Sequence, residues 1–161
     1  MKKMTILFTI LCAGQLYGME PEEQVRKTAE KWLAVGKSLG DTAQAMKNTV
    51  KGYDLKQFTE LVHIFADKFN RTTENVALLF NTPNANEYIR LGKEMIEYTD
   101  FNFSEGVIEA IQKGGDINYS TTELTSGVKV TPLGLARMRI KEGDAAYKEM
   151  EKILIEAGAR Q

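Results

Sequence analysis

His63 is the only histidine of the chain and Cys12 its only cysteine, so the side chains from which most metal and nucleophilic sites are built are scarce. Zinc takes three or four His, Cys or carboxylate ligands, and no cysteine accompanies His63. No nucleophile, base and orienting group can be assembled around it as a trio. His63 stands between Val62 and Ile64 in an apolar stretch and reads as a packed or helix-flank residue. The pair Gly114–Gly115 has the composition of a phosphate loop, but no Lys-Ser/Thr follows, and the pair ends a helical stretch instead of opening one. Glu22–Glu23 and the carboxylates Glu149 and Glu151 read as solvated faces and not as acid/base pairs. The expectation is a protein without catalysis, metal or cofactor. A small hydrolase working with carboxylates alone is the weakest alternative.

Charge excludes further classes. With 21 Lys+Arg against 22 Asp+Glu, the net charge is −1 and no basic block draws the chain to nucleic acid or anionic lipid. Asn70-Arg71-Thr72, Asn102-Phe103-Ser104 and Asn118-Tyr119-Ser120 match the N-glycosylation pattern. They matter only in a eukaryotic secretory route.

Residues 1–18 have the layout of a bacterial export signal. Lys2 and Lys3 precede an apolar run from Met4 to Ala13, and small residues follow at Gly14 and Gly18. The run is shorter than the ~20 residues of a membrane-spanning helix. Cleavage after Gly18 is expected, with Leu16 larger than the signal prefers. Leu11 before Cys12 argues against a lipid anchor. The expected location is secreted or periplasmic, with no stable membrane insertion. The mature chain then has no cysteine, a net charge of −3, and only packing to hold it together.

After the signal, the period of the apolar residues predicts helices. Val25, Ala29, Trp32, Gly36, Leu39, Ala43, Met46, Val50 and Tyr53 recur at alternating steps of four and three, the seam of a helix packed lengthwise on another. Residues 21–51 therefore read as one long helix or two collinear ones. Asp54 with Gln57 signals a capping box, and Leu55, Phe58, Leu61, Val62, Phe65, Ala66 and Phe69 form one stripe after it. A short helix follows from Thr73 to Phe80. Asn81–Asn84 marks a boundary, and Asn84 with Glu87 reads as a cap for a helix from Ala85 to Tyr98. Ser104 reads as the cap of the next helix, through Lys113, which Gly114–Gly115 stops in a left-handed turn.

The end of the chain resembles ankyrin repeats. Val107–Asn118 (Val-Ile-Glu-Ala-Ile-Gln-Lys-Gly-Gly-Asp-Ile-Asn) is similar to a repeat's second helix and the turn after it. Thr131-Pro132-Leu133-Gly134-Leu135-Ala136 resembles the Thr-Pro-Leu-His-Leu-Ala that opens a first helix. Met150–Ala159 resembles a second helix with its glycine stop. The resemblance spans residues 84–161, and three matches stand in the family's order. Gly114 and Gly158 lie 44 residues apart, against a family period of about 33. Gly134 stands where the family has histidine. An array of one or two repeats cannot bury its own faces, so the N-terminal helices are expected to cap it.

The expected fold class is all-α, a helical hairpin or bundle over residues 19–83 followed by one or two ankyrin-like helix-turn-helix repeats over 84–161. The resemblance implies binding of another protein through loop tips and inner helices. Carried onto this chain, that points to Tyr119, Glu123 and Leu124 on the projecting loop and to Arg137 and Arg139 after the Thr-Pro-Leu turn. The alternative function is a structural or assembly protein of the cell envelope, a homo-oligomer whose chains pair through the seam from Val25 to Tyr53.

Overall fold

The computed structural model describes residues 19–123 and 127–160. The export signal expected over residues 1–18, Cys12 within it, and Leu124 lie outside the described residues. The described chain is all-α apart from one ribbon of two short strands. In order it runs α1 (Pro21–Ala34), α2 (Leu39–Val50), α3 (Leu55–Phe69), α4 (Thr73–Phe80), α5 (Pro83–Asp100), α6 (Ser104–Gln112), β1 (Thr121–Thr122), β2 (Lys129–Val130), α7 (Pro132–Lys141) and α8 (Tyr147–Glu156).

The stretch read as one long or two collinear helices is broken at Val35–Ser38, and the two halves pack on different partners. Ser38 opens α2, its hydroxyl oxygen accepting the Asp41 N–H at 3.2 Å. α1 lies on α3 and α2 on α4, so no single lengthwise seam forms. Val25, Ala29, Ala43, Met46 and Val50 of that seam are fully buried in the chain's own core. These five seam positions are thus filled by packing within the chain itself.

The caps show how locally these helices are specified. Asp54 accepts the Gln57 N–H at 2.8 Å and Gln57 Oε1 accepts the Asp54 N–H at 3.0 Å, a complete capping box on α3. Asp54→Ala is expected to cost about 1 kcal/mol in urea unfolding; an unchanged midpoint would show that the cap contributes nothing. α4 begins and ends where the spacing places it. α5 starts earlier than expected, at Pro83 behind Thr82, and Asn84 has another task. Its amide donates to the Val50 carbonyl at 2.8 Å, capping the C-terminus of α2 from outside. Ser104 is likewise the first helical residue of α6 and not its cap; Phe103 holds the capping position. Gly114 is left-handed at φ +87°, and the Gly115 N–H returns to the Ala110 carbonyl at 2.9 Å. The Ala159 N–H closes α8 on Leu154 in the same way.

Two apolar clusters result. The first joins α1 to α4 with the start of α5, through rings that meet in sequence. Phe58 stands edge-on to Phe80 at 5.6 Å and to Tyr88 at 5.7 Å, and Phe65 stacks on Phe80 at 6.2 Å. Burying each phenylalanine stabilises by roughly 2 kcal/mol. The second cluster holds the end of α5 with α6, α7 and α8, around Met95, Val107, Leu133, Ala136, Met150 and Leu154. Here α5 and α6 form one helix-turn-helix pair, α7 and α8 another, and α7 lies beside α5. The turn at Asn81–Pro83 falls at the expected boundary, yet α5 supplies Ala85 and Tyr88 to the first cluster and Met95 to the second. The two segments are joined through a shared helix.

Candidate functional site

The segment between α6 and α7 decides the geometry of the second half. Asp116 begins it with a tight turn: its Oδ1 accepts the Asn118 N–H at 2.9 Å and its backbone carbonyl accepts the Tyr119 N–H at 2.9 Å. That turn drives Tyr119 inward, against Tyr88 at 5.6 Å and over Gly92 on α5. Ser120 then serves the buried start of α4. Its Oγ accepts the Thr73 N–H at 2.9 Å and its carbonyl accepts the Glu74 N–H at 3.0 Å. Those two N–H groups have no partner within their own helix. Thr121 continues with a hydrogen bond to the Glu74 carboxylate, which also pairs with Lys93 of α5 at 2.9 Å.

The other oxygen of Asp116 gathers side chains from two distant helices. Oδ2 lies 2.8 Å from His63 Nε2 on α3 and accepts the Tyr88 hydroxyl of α5 at 2.6 Å. Burial opposes ionisation of Asp116, but the hydrogen bond and charge of His63, then the Tyr88 hydroxyl and the Asn118 N–H, outweigh it and hold the carboxyl below its ordinary range. Burial, and then the Asp116 charge, push the Tyr88 hydroxyl well up. Burial, followed by the charge of Glu74, also pushes up Tyr119. A carboxylate already accepting from three donors has little capacity left to take a substrate proton. Its geometry is that of a clasp between the first helices and the turn. Among the described residues no group of three or more His, Cys, Asp or Glu side chains is placed to hold a metal ion, and no helix is long and apolar enough to cross a membrane.

On the outer side of the same segment a groove opens between α5, the ribbon and α7, with a volume of about 730 Å³. Ile96, Val128, Val130, Leu135 and Met138 supply its apolar lining, while Lys93, Glu97, Asp100, Glu123, Lys129 and Arg139 supply charge. Val128 and Met138 are 58% and 43% exposed, well above what a core position shows. Arg139 bridges the helices, donating to Asp100 at 2.5 Å and to Glu142 at 3.2 Å; these carboxylates raise its pKa further.

The structure separates the residues expected to bind. Glu123 and Arg139 line the groove. Tyr119 is corrected: it is fully buried, because the Asp116 turn points it into the core and not toward a loop tip. Arg137 is turned away from the groove and paired with Glu151 of α8 at 2.7 Å. Leu124 lies outside the described residues. Ile96, Val128 and Met138 were not singled out from the sequence, since each belongs to an apolar pattern that does not distinguish a core position from a groove wall. The Asp116–His63 pair was equally invisible, its partners being 53 residues apart.

No family model, no curated protein and no solved structure matches the chain.

Proposed function

We propose that this is an exported binding module that engages another protein by contact in the groove between α5, the ribbon and α7, and performs no chemistry there. The observation that carries this reading is the groove itself: an opening of about 730 Å³ with exposed Val128 and Met138 in its lining and charged side chains around them. Apolar surface bordered by charge is the common form of a protein contact site. The order of elements supports it as well. Two helix-turn-helix pairs joined through the ribbon are in keeping with the ankyrin-like motifs at Thr131–Ala136 and around both glycine stops, and the groove is lined by the ribbon and by the first helix of each pair, the elements through which that resemblance implies binding.

The test is capture of partners from an extract with the full chain and with Met138→Glu. A carboxylate on the groove wall is expected to abolish retention of the specific partners while shifting stability by no more than ~0.5 kcal/mol, as for other exposed positions. Equal retention by the variant would sink the groove as the contact site. Arg137→Ala, on the face turned away, is expected to retain the partners.

A further inference from the structure

The ribbon meets the groove with its face. Thr121 pairs with Val130 and Thr122 with Lys129, and the Glu123 N–H donates to the Val128 carbonyl at 2.9 Å. Side chains alternate along a strand, so Thr121, Glu123, Val128 and Val130 stand on the groove's side and Lys129 on the other. The remaining walls are the faces of two helices that lie side by side. Lys93, Ile96, Glu97 and Asp100 recur at steps of three and four along α5, as do Leu135, Met138 and Arg139 along α7. Helix backbone bonds within the helix, and the bonded pairs of the ribbon close on each other. The groove is thus walled by side chains and not by a row of unpaired backbone groups. An extended segment buried there would leave its own N–H and C=O groups without partners. A helix arrives with those bonds already made.

Charge selects the helix. Lys93 is matched by Glu74, and Arg139 by two carboxylates, Asp100 and Glu142. Glu97, exposed midway along the α5 wall, has no ion-pair partner among the described residues, and Glu123 adds a further carboxylate. Lys129 borders the groove from the ribbon's other face. Even with Lys129 counted, the carboxylates of the groove and its ion pairs outnumber the cations by five to three. Resting on the binding reading above, we propose that the occupant is a basic amphipathic helix of a partner protein. Its aliphatic side chains, three and four residues apart, pack on Ile96, Leu135 and Met138, and a lysine or arginine beside them pairs with Glu97. The α5 wall from Lys93 to Asp100 is about 10 Å long, so a helix lying along it makes contact over roughly two turns.

Two displayed peptide libraries test this against the full chain. One is randomised on a single face of a helical scaffold, and the other holds linear peptides with a central proline, which a helix interior does not accommodate. Binders that are lost with Met138→Glu are expected from the helical library alone, with lysine or arginine enriched at one randomised position. Glu97→Lys is expected to weaken such a binder about fivefold, with recovery when its basic residue is changed to glutamate. A proline at the centre of the selected helix is expected to weaken it about a hundredfold. Glu97→Lys alters an exposed side chain and is expected to leave the circular dichroism spectrum unchanged. Groove binders drawn equally or mainly from the proline library would overturn the helix. Acidic or neutral binders, indifferent to Glu97→Lys, would overturn the charge pattern. If neither library yields a binder that Met138→Glu removes, the binding reading itself fails, along with the helix built on it.

Discussion

Gly92→Ala is expected to destabilise the protein by about 2 kcal/mol, although alanine is the better helix former by ~1 kcal/mol. Gly92 lies fully inside α5, and a β-carbon there would fall 2.1 Å from Tyr119 Cδ2 and 2.4 Å from its Cγ and Cε2. Those distances place the methyl within the ring. The ring cannot easily yield, because Tyr119 is held on one side by Tyr88 and along the backbone by Asp116 and Ser120. Its displacement would pull the ribbon away from α4 and widen the groove. Urea unfolding measures the loss. The double variant Gly92→Ala, Tyr119→Leu distinguishes the cause: coupling of at least ~1 kcal/mol between the two positions is expected for a direct clash. A variant as stable as the parent would show that the ring does not occupy this place.

Removing the carboxylate in Asp116→Ala is expected to cost about 3 kcal/mol. The loss is large because three donors are orphaned at once: His63 Nε2, the buried Tyr88 hydroxyl and the Asn118 N–H. Exchange of amides around residues 116–122 should rise with it, since this turn seats Tyr119 and Ser120 in the first cluster. The effect has a definite pH dependence. Folding lowers the Asp116 pKa below 3.8, so its contribution is fully present above about pH 4 and is lost as pH falls through the depressed folded value. The stability gap between parent and variant should therefore shrink on acidification below about pH 4. A gap that widened in acid would reverse the assigned sign. His63→Gln, which can keep one hydrogen bond, should cost less than Asp116→Ala.

These two positions also mark where the sequence stops being informative. The capping box at Asp54 and Gln57, the bounds of α4, the stripe of α3 and the glycine stop at Gly114 were all legible. Each depends on residues within about one turn of one another. The same local logic misassigned Asn84 and Ser104. Asn84 has a cap's chemistry, but its amide reaches the end of α2, and Thr82–Pro83 opens the helix instead. The regular seam from Val25 to Tyr53 suggested a lengthwise partner. Its period was real, while the break at Val35–Ser38 sends α1 and α2 to different helices.

The lone histidine shows the same division. By itself the sequence determined that His63 sits among apolar residues of a helix and has no cysteine to join it, because composition and period are counted along the chain. Only the tertiary structure brought Asp116 and Tyr88 to its ring, buried Tyr119, turned Arg137 onto Glu151, and left Glu123 and Arg139 in one groove. Apolar periodicity says that a face is covered but not by what. A polar pairing across 53 residues exists only once α3, α5 and the turn after α6 have packed and excluded water around it.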